Sequence, residues 1–181
     1  DRVPSVEIEK IAGLPAHPLF VHIPVVLVPL AGVIAIVFAF RPAWLDRFGW
    51  GLVALSGVGM IGAIIASSSG EGLEGMMRAN GERISQSLSE HAEQGENART
   101  VAIVFFLVVL GVMLIRYFVR RNATSTNKAV RIAASKTGAI VLAGVLVVSA
   151  AAASYSIAVA GHEGAKQVWH QSEGDQDGDA D

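Results

Sequence analysis

Residues 18–40 read PLFVHIPVVLVPLAGVIAIVFAF, an apolar run with no acid, no lysine and no arginine, whose one ionisable side chain is His22. At about 1.5 Å per residue a helix of this length crosses the roughly 30 Å of hydrocarbon in a bilayer. Working outward along the chain, 48–69, 98–119 and 136–160 are apolar over comparable lengths. Composition agrees: 52% of residues are hydrophobic, 17% are charged and the mean hydropathy is +0.49, outside the usual range of a soluble domain. The expected fold is all-α, an integral membrane four-helix bundle forming one domain. Its expected divisions are an extracytoplasmic N-terminal segment over 1–17, the membrane domain over 18–170, and a disordered acidic tail over 171–181.

Three connections join the spans. Arg41-Pro42-Ala43-Trp44-Leu45-Asp46-Arg47 holds a proline that cannot continue a helix and an interfacial tryptophan, so the first hairpin is expected to be tight. The polar, basic stretch from Arg120 to Arg131, centred on Asn122–Asn127, reads as a second tight hairpin. The stretch 70–97 has no proline and places Met76, Met77, Ile84 and Leu88 at helical spacing, which predicts an amphipathic arm lying at the interface and merging into the third helix.

Arg41, Arg47, Arg116, Arg120, Arg121, Lys128, Arg131 and Lys136 all flank the two short hairpins, while fifteen of the sixteen acids, all but Asp46, fall on the opposite side. By the positive-inside rule the hairpins face the cytoplasm and both termini face outwards, in a multi-pass plasma-membrane protein whose first partner is the lipid bilayer. The first apolar run is too long for a cleaved signal and lacks a small-residue cleavage site, so it is expected to remain as a span.

An ionisable residue inside a span is costly and is read first as functional. His22 has that position, and threading the chain brings His17, His91, His162 and His170 to the same outer face. The chain has no cysteine, which removes disulfides, iron–sulfur clusters, thiolate zinc and covalently attached c-type haem. Histidine and carboxylate remain as strong ligands. His17 also suits a helix cap before Pro18 in the first helical position. His22 could equally be satisfied by a carbonyl freed by Pro24 or Pro29. His91, in Ser89-Glu90-His91-Ala92-Glu93, reads by itself as exposed. His162 lies between Gly161 and Gly164, which can end the fourth helix and fold the imidazole back over the bundle, or leave it as a C-terminal cap. His170, beside Trp169, reads as interfacial. Small residues recur in the second span (Gly59, Gly62, Ala63, Ser67) and the fourth (Ala139, Ala143, Gly144, Ala153), where they allow close helix packing or a slot for a flat porphyrin.

The pattern His17-Pro18-x-x-Val21-His22-x-Pro24, a histidine ahead of the third span, and Gly161-His162-x-Gly164-Ala165-x-x-Val168-Trp169 resemble the bacterial four-helix membrane domain of family DUF2231, over about residues 14–170. Fusion of some members of that family to Rieske-type iron–sulfur domains implies a link to quinone or electron-transfer chemistry. This chain lacks the cysteines of a Rieske centre, so a redox centre of its own would be histidine-ligated.

Three functions follow as expectations. In the first, a b-type haem near the outer face is held by His22 with His91 or His162, His17 being a further candidate, and serves electron transfer with quinone or within a larger respiratory membrane complex. In the second, the same histidines with Glu71, Glu74, Glu90, Glu93 and Glu163 hold copper, zinc or iron. In the third, the chain is a cofactor-free accessory subunit. No nucleophile with its base, phosphate-binding loop or nucleic-acid patch occurs, so neither catalysis by this chain alone nor a nucleic-acid partner is expected.

Overall fold

The computed structural model describes residues 10–11, 14–81, 85–122, 124 and 126–176, with side chains described between Phe20 and Ala165 within those ranges, Ser87 excepted. A minimal antiparallel pairing of β1 (Lys10–Ile11) with β2 (Leu14–Pro15) precedes α1 (Ala16–Phe40). There follow α2 (Pro42–Ala79), α3 (Gln86–Arg121), the short α4 (Lys128–Ala134) and α5 (Lys136–Gln176). Four of these helices are long and apolar enough to cross a membrane, over Phe20–Phe40, Pro42–Ala79, Leu88–Arg121 and Lys136–Ala165.

The long helices form a ring in which α1 packs on α2, α2 on α3, α3 on α5 and α5 back on α1. Helices α1 and α3 therefore stand at diagonal corners, as do α2 and α5. The core between them is built from Val28, Ala31 and Ala35 of α1, Leu52 of α2, Phe105 and Val109 of α3, and Leu146, Ala150 and Ile157 of α5. Glycine permits the closest approaches. A Cβ on Gly59 would lie 2.9 Å from Val28 Cγ2, and one on Gly32 would lie 3.2 Å from the Ala150 carbonyl oxygen. Outward-facing Val26, Val33, Val58, Leu107, Ile140 and Val148 are exposed, as a lipid-facing surface requires.

Several boundaries differ from the sequence expectation. Helix α1 starts at Ala16, so Pro18 is third rather than first; the first turn has no intrahelical N–H partners to lose, and a proline there costs nothing. Arg41 alone separates α1 from α2, because Pro42 at the first helical position starts the next helix at once and takes Trp44, Asp46 and Arg47 into it. The second hairpin contains α4, capped by the Asn127 side chain accepting from Ala129 N at 2.9 Å. At the α4–α5 corner Ser135 Oγ donates to the Ile132 carbonyl at 2.6 Å and accepts from Gly138 N at 3.0 Å.

The arm between the second and third spans is helical as expected, but it is made by prolonging α2 and α3 themselves. With 38 and 36 residues these helices reach about 57 and 54 Å, far beyond a hydrocarbon core. The Arg99–Glu71 ion pair at 2.9 Å ties the two extensions together. Gly81, at φ 77°, closes α2, and Ser85 caps α3 by accepting from Leu88 N at 3.2 Å. Helix α5 likewise runs to Gln176, into the segment expected to be a disordered tail; residues 177–181 lie outside the described residues.

Candidate functional site

At the end of the bundle where α1 begins, α2 and α3 make their turn and α5 runs out, the four long helices line a partly open cavity of about 440 Å³. That volume is in the range of small-molecule and cofactor sites, about 300–1,000 Å³. Each helix offers one stripe to it. Helix α1 contributes Val21, His22, Pro24 and Val25; α2 contributes Ala63, Ala66 and Ser67; α3 contributes His91, Gly95, Ala98 and Arg99; α5 contributes Ile157, Ala160, Gly161, Gly164 and Ala165.

The two imidazoles thus reach one cavity from the diagonal corners α1 and α3. Small side chains flank them on the other diagonal, Ala63 and Ala66 on α2 and Ala160, Gly161 and Gly164 on α5. The wall is apolar apart from His22, His91, Ser67 and Arg99. His91 is half-buried with its Nδ1 shielded from solvent, and a Cβ on Gly164 would lie 2.9 Å from its Cε1. The space His91 occupies exists because residue 164 has no side chain.

Arg99 brings a cation to the wall. Its guanidinium pairs with Glu71 at 2.9 Å and with Glu96 at 3.6 Å, and Glu71 Oε1 also accepts from Ser67 Oγ at 3.3 Å. The carboxylates considered with the histidines are largely engaged elsewhere: Glu74 with Arg78, and Glu90 accepting from Gln86 Nε2 at 2.9 Å. Among the described residues no three histidines or acids gather closely enough to hold a metal ion.

Of the histidines singled out in the sequence, His22 and His91 meet at the cavity. His162 does not. Helix α5 continues through Gly161 and Gly164 instead of ending there, so the imidazole does not fold back over the bundle. At about 100° per residue, position 162 lies roughly 130° from the centre of the stripe formed by residues 157, 160, 161, 164 and 165; its side chain is exposed, as is that of His22, but unlike His22 it does not line the cavity. Packing against α1 and α3 overrides the weak helix propensity that makes glycine look like a stop. The side chains of His17 and His170 lie outside the described residues. Ser67 was read from the sequence only as a small packing residue and Arg99 was not singled out; the available signal for Arg99 was its spacing of eight from His91, one face of one helix.

The two end stretches that carry the family resemblance converge here, His22 and Pro24 from the first, Gly161, Gly164 and Ala165 from the second. The family profile described as "predicted membrane protein (DUF2231)" matches residues 13–177. The chain belongs to the DUF2231 family. No curated protein and no solved structure matches it. For this DUF2231 protein the matched region contains all four candidate spans and the entire cavity wall.

Proposed function

We propose that this chain is a membrane-embedded electron-transfer protein that holds a b-type haem between His22 and His91. The observation carrying this reading is that two imidazoles from diagonally opposite helices line one apolar cavity flanked by alanine and glycine on the other diagonal. Two axial imidazoles suffice for a six-coordinate haem, whereas a small ion such as zinc wants about four protein or water donors. The donor set is therefore better matched to haem than to bare copper, zinc or iron. Bound haem supplies a one-electron carrier. The chain's residues would do the rest: His22 and His91 would ligate, Ala63, Ala66, Ile157 and Ala160 give the apolar wall, and Arg99 stays paired with Glu71 and Glu96.

In this reading the histidine end faces outwards with both termini, in a bacterial plasma membrane, because the basic residues flank the opposite hairpins. Electrons pass between quinol and a larger membrane redox complex. The detergent-purified protein, supplied with haem during expression, is expected to show a Soret band that His22→Ala and His91→Ala each abolish and His162→Ala leaves intact. A colourless protein with stoichiometric metal would favour a small-ion site instead. A colourless protein without metal would favour a cofactor-free accessory subunit.

A further inference from the structure

At the opposite end of the bundle, Arg116, Arg120 and Arg121 of α3 surround a recess of about 450 Å³ together with Asp46 and Trp50 of α2. We propose that this recess is a site for the phosphate of an anionic phospholipid headgroup. Arg116 is held on Asp46 Oδ1 through Nε at 2.9 Å and Nη2 at 2.6 Å, and Arg120 Nη1 lies 3.4 Å from the same oxygen. Among the described residues Arg121 pairs with no carboxylate; its Nη1 donates to the Tyr117 hydroxyl at 3.0 Å. Three guanidiniums face one carboxylate, which leaves two positive charges in one concavity. The planar guanidinium fork matches phosphate oxygens, and these three are already oriented by Asp46 and Tyr117.

The position of the recess at the membrane interface selects a lipid over a free anion. Trp50 and Tyr117 are about half exposed, as are Trp44 and Phe48 nearby, which is the amphipathic belt found at the headgroup level. On α3, Tyr117 and Arg121 stand in line with exposed Leu114 and Leu107, so an apolar track descends from the recess along the lipid-facing side of the helix. A phosphate at the arginines and an acyl chain on that track belong to one molecule. Basic recesses between spans at the interface are the expected receptors for anionic headgroups.

The test is a native mass-spectrometry titration of the full chain in detergent with phosphatidylglycerol and with phosphatidylcholine. One phosphatidylglycerol is expected to bind in preference to phosphatidylcholine, and at about fivefold per arginine the R120Q/R121Q double variant should weaken it roughly 25-fold. Arg120 is mostly exposed, so the variant keeps its fold. Arg131→Gln, an exposed basic residue at the same end but outside the recess, should leave the affinity unchanged. Inorganic phosphate at equal concentration should not displace the lipid. Equal binding of the two lipids, an unaffected double variant, an equal loss in Arg131→Gln, or displacement by inorganic phosphate would each overturn the proposal.

Discussion

Two glycines show how a single missing methyl group can have different consequences. A Cβ at Gly164 would meet the edge of the His91 imidazole at 2.9 Å, and an imidazole at the end of a side chain can turn away. Gly164→Ala is therefore expected to lower haem occupancy and shift the Soret maximum, while thermal stability changes by less than about 1 kcal/mol. Absorbance and a melting curve on one preparation read both. A Cβ at Gly138 would meet the backbone carbonyl oxygens of Ile132 and Ala133, the latter at 2.9 Å, at the corner tied by Ser135. Backbone cannot swing aside, so Gly138→Ala should destabilise by about 1–3 kcal/mol while leaving the spectrum of the remaining folded protein unaltered. Neither requirement was legible in advance. Gly161 and Gly164 beside His162 read as a helix stop, and only the approach of α3 to α5 shows that Gly164 makes room for His91.

At the level of elements, the four spans could be read directly, because each apolar run outlasts the thickness of hydrocarbon and ends at arginines, prolines or polar turns. Their extensions could not. Charge after Ser69 ends the hydropathy signal, yet Glu71, Leu73, Glu74, Met76, Met77 and Arg78 remain good helix formers, so α2 continues to Ala79. Arg99, at the start of the third apolar run, has Glu71 for an ion-pair partner only because the α2 extension runs alongside it. His22 was legible as costly in lipid and His91 as one of two candidate partners for it; the ring order that sets α1 diagonal to α3 brings both to one cavity. The turn between α2 and α3 and the turn between α3 and α4 lie at opposite ends of the bundle, which allows a direct test of orientation. The chain has no cysteine, so single labels carry no background. In intact cells a membrane-impermeant maleimide is expected to label Asn80→Cys and to spare Thr124→Cys until the membrane is opened. The reverse pattern would invert the assignment of the histidine end to the outside.

Taken as a whole, the molecule has two chemically distinct ends joined by an apolar core, in which Phe105, Leu146, Val28 and Val109 are each about 1% exposed. One end gathers two imidazoles around an apolar cavity, the other gathers three guanidiniums around a single carboxylate. Were haem held at the first end, its potential would be governed by the two imidazoles and by exclusion of water. The measurement that tests this most directly is the visible spectrum of the full chain purified from haem-supplied cells, beside His22→Ala, His91→Ala and His162→Ala. A Soret band is expected in the parent and in His162→Ala, with its loss in both other variants. A parent without a Soret band, or a band that survives loss of both His22 and His91, would contradict it.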